Sequence, residues 1–123
     1  ALCTNALNLL DLRPGRALKG FLLLGILASV LEPGVVIVLV PLFAAGIVYA
    51  PIDLGERAMM GDVGSNILGA MAGLALVFSL GLGVKFILLA LLLLVHLYAE
   101  VGSITGSVER NRLLRWLDGV GRV

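Results

Sequence analysis

Two short polar segments interrupt an otherwise apolar chain: Thr4-Asn5-Ala6-Leu7-Asn8-Leu9-Leu10-Asp11 and Met59-Met60-Gly61-Asp62-Val63-Gly64-Ser65-Asn66. In the first, Asn5, Asn8 and Asp11 follow one another at intervals of three, so a helix carries two amides and a carboxylate on one face. Polar groups at the end of an apolar helix are costly unless they find partners. This set serves either a common ligand or neighbouring helices that a polar stripe satisfies. In the second segment Gly61 and Gly64 let the backbone come close to a ligand. Asp62 stands before a helix, where it can hold a hard cation while free amides face phosphate oxygens. Magnesium commonly takes one or two carboxylates and completes its shell with water and substrate phosphates, so two separated Asp residues suffice. An ordinary N-cap, with Asp62 or Ser65 bonding the free amides, uses the same residues.

His96 and Glu100 lie four apart, on one face of a helix. The imidazole either packs neutral between helices or serves as a phosphate contact or a proton shuttle. Asp53, Glu56 and Arg57, in a loop over 52–58, are expected to be solvated, with Asp53 near enough to Asp62 to join a metal site. No Ser/His/Asp triad or Walker loop is present. The single Cys3 excludes an intrachain disulfide framework and a multi-cysteine zinc site.

The elements that must position these groups are set by composition. Of 123 residues, 60% are hydrophobic and 14% charged, against about a quarter charged in a soluble domain. An integral membrane protein follows. A helix needs about 20 residues to cross the hydrocarbon core. Four apolar runs come close, over 17–32, 34–51, 63–82 and 84–100. Glu32-Pro33-Gly34 ends the first, because proline cannot continue the hydrogen-bond ladder. The second begins β-rich, but an open strand in lipid leaves amides unpaired, so helix is expected, kinked at Pro41. Gly81-Leu82-Gly83 turns the third into the fourth. Gly69 and Gly73, four apart, let another helix approach the third span closely. The fold class is therefore an all-α membrane bundle of about four transmembrane helices over 1–106, followed by a tail over 107–123.

Lys and Arg gather in short cytoplasmic loops. Arg13, Arg16, Lys19, Arg57, Arg110, Arg112, Arg115 and Arg122 fall on one side of this layout, and only Lys85 on the other. The segment is expected to lie in the inner or plasma membrane of the cell with both of its ends in the cytoplasm, 1–16, 52–62 and 101–123 converging on that face. The tail places Val108, Leu113, Trp116, Leu117 and Val120 at helical spacing among arginines. It is expected to form an amphipathic helix, either on the anionic inner leaflet or against the protein's own cytoplasmic face. A net charge of +1 leaves no field for nucleic acid.

Asn5-Ala6-Leu7-Asn8-Leu9-Leu10-Asp11, with Gly15 and Ala17 after it, resembles the cytoplasmic Asn-rich motif of the polyprenyl-phosphate N-acetylhexosamine-1-phosphate transferases, the superfamily that includes phospho-N-acetylmuramoyl-pentapeptide transferase. Met60-Gly61-Asp62-Val63-Gly64-Ser65, followed by Leu68-Gly69, resembles that superfamily's most distinctive motif. His96-Leu97-Tyr98-Ala99-Glu100 is weakly similar to its histidine-containing loop. The resemblance covers most of the chain and corresponds to about the C-terminal half of a member. The chain begins with Ala1, and the remaining half is expected upstream. The resemblance implies transfer of a sugar 1-phosphate from a UDP-N-acetylhexosamine to polyprenyl phosphate, with Mg2+ and release of UMP. It implies Asp62 as the magnesium ligand and Asp11 as a catalytic carboxylate. Asn5, Asn8, Gly61, Gly64, Ser65 and His96 would bind substrate, and a homodimer is an expected assembly. The chain departs from the pattern where Leu12-Arg13-Pro14 replaces a second Asp and where Met59 replaces an aromatic residue. A non-catalytic scaffold or polyprenyl-phosphate-binding partner derived from the family is the alternative.

Overall fold

A computed structural model describes residues 1–102, 106 and 110–120. Runs of Leu, Ile, Val and Ala satisfy their own amides only as helix once water is scarce, and the described residues contain helices and no strand. In chain order these are α1 (Leu2–Leu10), α2 (Arg16–Leu31), a 3-10 turn (Pro33–Val35), α3 (Val36–Leu54), α4 (Gly61–Ser79), α5 (Leu82–Val101) and α6 (Arg112–Gly119).

Small residues decide how closely the helices meet. A Cβ on Gly69 would lie 2.5 Å from Thr4 Cα and 2.7 Å from Cys3 O, and one on Gly73 would lie 3.0 Å from Cys3 Cβ. Together with a bond between Asn8 and Ser65, these approaches lay α1 antiparallel along α4. Gly25 and Gly46 admit Phe43 and Leu18 in the same way, so α2 and α3 run antiparallel, with the Phe21 and Phe43 rings 5.4 Å apart. Ser79 Oγ reaches Ala28 O at 3.0 Å, where α2 and α4 end side by side. Leu7, Leu18, Phe21, Leu39, Leu68, Ala72 and Leu76 fill the space between.

The outer surface is apolar. Ile37, Val48, Val63, Phe78, Phe86 and Leu94 are all exposed, and α5 buries no residue. Such an area exceeds what a soluble monomer shows to water. Three helices are long and apolar enough to cross a membrane, Pro33–Leu54, Gly61–Ser79 and Leu82–Val101. Three of the four spans expected meet this measure. The run over 17–32 is helical, but α2 has 16 residues and rises only about 24 Å. Two expectations change. The start of α1 does not sit on the polar end with the loops, because Gly69 and Gly73 set Cys3 and Thr4 further along α4, while Asn8 stays beside Ser65. The loop over 52–58 is shortened, since α3 continues through Pro41 and Pro51 to Leu54.

Of the tail expected over 107–123, residues 107–109 and 121–123 lie outside the described residues, and α6 covers Arg112–Gly119. Asn111 caps it, its Oδ1 accepting from Leu113 N at 3.0 Å and Leu114 N at 3.3 Å. Its other end is fastened to α2. The Arg16 guanidinium donates to both carboxylate oxygens of Asp118, Nη2 to Oδ2 at 3.0 Å. Lys19 Nζ donates to Leu117 O and Asp118 O at 3.1 and 2.8 Å. A cation at a helix C-terminus also meets the negative end of its dipole. Both members of the ion pair are at most 10% exposed, and a hydrogen bond to a charged group contributes about 1.5–3 kcal/mol. Asp118→Asn should therefore speed amide hydrogen exchange across 112–119 at least tenfold while leaving α2 and α4 unchanged. Unaltered exchange in α6 would mean that the clasp does not hold it.

Candidate functional site

The polar groups meet where α1 and α3 end and α2 and α4 begin. Asp11 is the C-cap of α1, its N–H bonded to Leu7 O and Asn8 O. The chain turns through Gly15, whose φ of +79° suits glycine, and enters α2. Gly15 N–H donates to Asp53 Oδ2 at 3.1 Å. This bond ties the turn after Asp11 to the last turn of α3.

Asp53 is fully buried. The solvated loop residue expected from the sequence is thus a carboxylate on a helix, shut in by the turn over 11–16 and by Leu54, which lies against Gly15. The signal available in the sequence was the apolar run itself. If the helix of 34–51 is continued for one turn, Asp53 becomes an ionisable group at the end of a span, a position that calls for a partner.

Gly61, with φ +72°, opens α4, and its backbone N–H comes near enough to the Asp11 carboxyl to favour its charged form. Asp62 follows in the first turn, exposed. Asp11 itself is 9% exposed, and its Oδ1 is buried without a hydrogen bond. Burial pushes the Asp11 carboxyl above the ordinary carboxylate range, the Gly61 N–H opposes this, and the Asp53 and Asp62 charges raise it further.

Ser65 connects the two segments. Its hydroxyl is completely buried and lies 2.9 Å from Asn8 Oδ1, 3.1 Å from Gly61 O and 3.3 Å from Asp62 O. A hydroxyl has one proton to share among these acceptors. The amide of α1 and the N-terminal turn of α4 are thereby held in register.

Asn8, Asp11, Gly61, Asp62 and Ser65 thus converge, with Gly64 one turn into α4 against the Met60 side chain. Asn5 is exposed on α1 and has no described contact with this group. His96 does not join it through any described bond. Its Nδ1 faces Leu92 O at 2.6 Å within α5, and Nε2 is buried without a partner. A carbonyl only accepts, so Nδ1 carries the proton and Nε2 is the acceptor. Beside Gly61, an apolar groove of 460 Å³ runs between α3 and α4, lined by Leu42, Gly46, Tyr49, Met59, Gly64 and Leu68.

No protein-family model matches the chain, and no characterised protein or solved structure matches it. What the arrangement can do chemically rests on its own donors. The oxygens of Asp11 and Asp62 are hard ligands suited to magnesium or calcium rather than to a soft metal, and the buried, unbonded Asp11 Oδ1 is the kind of atom that a cation satisfies. Among the described residues no three His, Cys, Asp or Glu side chains form a metal cage. A cation here would draw the rest of its shell from phosphate and water.

Proposed function

We propose that this chain carries part of the active site of a magnesium-dependent phosphoglycosyl transferase, which moves an N-acetylhexosamine 1-phosphate from a UDP-sugar to polyprenyl phosphate. The observation that carries this reading is the junction of the two polar segments through the hydrogen bond between Ser65 Oγ and Asn8 Oδ1. These are the same two segments whose residues resemble the transferase motifs.

The reaction needs a lipid phosphate to meet a soluble nucleotide, so its site belongs at a membrane boundary. Here the carboxylates cluster where apolar helices begin and end. An oxygen of the polyprenyl phosphate attacks the β-phosphorus of the UDP-sugar, a new P–O bond forms, the pyrophosphate bond breaks, and UMP leaves. Asp62, with Asp11, would hold magnesium, which would supply positive charge between phosphates that repel one another. Asn8 and Asn5 offer amides to the substrate, Gly64 lets it approach the backbone, and the Ser65 hydroxyl fixes Asn8. The groove between α3 and α4 leads apolar prenyl units from lipid towards the carboxylates.

The reading also fixes an orientation. With the carboxylate end in the cytoplasm, Arg13, Arg16, Lys19 and Arg57 lie on the positive-inside face. Under this reading α2 is a fourth, short span, and α6 rests at the inner leaflet with Trp116 near the headgroups.

The test is magnesium-dependent UMP release by the full-length protein in membranes, using a panel of UDP-N-acetylhexosamines and undecaprenyl phosphate. Asp62→Asn should lower the rate on the order of 10²–10³-fold, the scale of removing one electrostatic partner from a transition state, and leave folding intact because the side chain is exposed. Full activity in that variant removes Asp62 from the metal site. A folded wild type that releases no UMP favours the non-catalytic scaffold.

A further inference from the structure

We propose that α6 is a docking helix for anionic lipid: half of its apolar face seats on α2, the other half enters a negatively charged leaflet, and its arginines meet the lipid phosphates. Trp116 near the headgroups accounts for contact with any bilayer, whereas the arginines make that contact selective for charge. This surface lies apart from the carboxylates and is independent of the reaction they serve.

Three observations support it. First, α6 is divided into stripes. At about 100° per residue, residues three apart share a line: Leu114 with Leu117, Leu113 with Trp116, and Arg112 with Arg115. Leu114 and Leu117 line a cavity of 440 Å³ together with Leu10, Gly20 and Leu23. Leu113 and Trp116 do not line it and stay 64% and 66% exposed, so the bundle covers only half of the apolar face. Second, the charge left outside is positive. Asp118, the single acidic residue of α6, is paired with Arg16 and 10% exposed, whereas Arg110, Arg112 and Arg115 are exposed. An apolar strip edged by cations is complementary to anionic headgroups above acyl chains. Third, the height fits. α6 is fastened to α2 at Arg16 and Lys19, and further along α2 Leu23, Ile26 and Val30 are exposed. Leu23 lies about 10 Å beyond Arg16 along the helix, so α6 sits where the apolar girdle of the bundle gives way to charge. An acidic protein would have to reach into that border, whereas a leaflet is already there.

Amide hydrogen exchange across 112–119 tests this in the full-length protein, held in nanodiscs of phosphatidylcholine alone or of an equal mixture with phosphatidylglycerol. Each arginine near an anionic surface contributes about a fivefold preference, so the mixed bilayer should slow exchange in α6 about tenfold or more and leave α4 unchanged. Added salt should remove the difference, because exposed charges are screened. The double substitution Arg112→Gln and Arg115→Gln should abolish the lipid dependence without altering exchange in phosphatidylcholine. Both side chains are exposed, so the fold tolerates the change. Asp118→Asn separates the two seats: α6 should exchange fast in phosphatidylcholine and regain protection in the mixed bilayer. Equal exchange of the wild type in the two bilayers overturns the inference and leaves α6 held by the protein alone. Equal exchange in both, with slower exchange in native membranes, assigns the face to a protein partner and overturns it as well. A slowing that survives in the double variant removes the arginines, and with them the selectivity for charge. Every one of these results is read without turnover and so stands apart from UMP release.

Discussion

Asp11→Asn is expected to stabilise the cation-free protein at neutral pH and to abolish its activity. Both effects come from one environment. Desolvation, with the Asp53 and Asp62 charges, holds the Asp11 carboxyl above its ordinary range against the opposing Gly61 N–H. The folded state therefore binds the Asp11 proton more tightly than the unfolded chain does. Stability from this group is fully present below the unfolded value, about 3.9 for Asp. It is lost as pH rises through the raised folded value. An amide has no such loss. The melting temperature of Asp11→Asn minus that of wild type should accordingly be near zero or negative at pH 3.5 and become positive by pH 8, with magnesium excluded. On the proposed transferase reading catalysis should move the other way, since loss of one electrostatic partner of a transition state costs on the order of 10²–10³ in rate. A stabilising substitution that destroys function marks a residue kept for its chemistry. Equal melting temperatures at every pH would show that Asp11 bears no such strain, and retained UMP release would remove it from the reaction.

Gly69→Val should separate α1 from α4 and dismantle the site without touching any polar residue. A Cβ at position 69 already lies 2.5 Å from Thr4 Cα and 2.7 Å from Cys3 O. These are backbone atoms, which cannot rotate away. Overpacking a core costs about 1–3 kcal/mol, occasionally more, and a branched side chain against backbone belongs at or above the top of that range. The displacement passes to Asn8, one helical turn along α1, whose bond to Ser65 is the junction between the two segments. Gly73→Ala is the graded control, since its neighbour is the Cys3 side chain at 3.0 Å, which can shift. Cys3 is itself the reporter, being 9% exposed between the helices. Maleimide labelling of Cys3 in detergent should accelerate at least tenfold in Gly69→Val and much less in Gly73→Ala. Unchanged labelling in the valine variant would mean that α1 finds another seat.

The helices were legible because lipid leaves the backbone one economical conformation, and the charged and Gly/Pro residues between apolar runs mark where each ends. The small-residue spacing at Gly69 and Gly73 was legible as a packing surface, but its partner was not. Helical periodicity says that a face is narrow without saying which helix fills it, and α1 carries Asn5 and Asn8, which read as a boundary segment. Asn8, Asp11, Asp62 and Ser65 stood out because polar groups are rare in this composition. Asp53 was hidden by Pro51, which reads as the end of a helix. The neighbours that bury it, Gly15 and Leu54, come together only in three dimensions. The Arg16–Asp118 pair was beyond reach for the same reason, since both residues lie in charged stretches where many partners are available.

The three ties at the carboxylate end span very different lengths of chain: 38 residues for Gly15 and Asp53, 57 for Asn8 and Ser65, and 102 for Arg16 and Asp118. A chain made from its N-terminus makes the second partner of each tie available in that order. The turn behind Asp11 can set before Gly61 has left the ribosome, and the two polar segments can join before α5 is inserted. The fork on Asp118 can form only after α5 has been made. Biogenesis thus offers its own sequence of events: first a socket, then its lining, and later a bolt that holds α6 to the bundle.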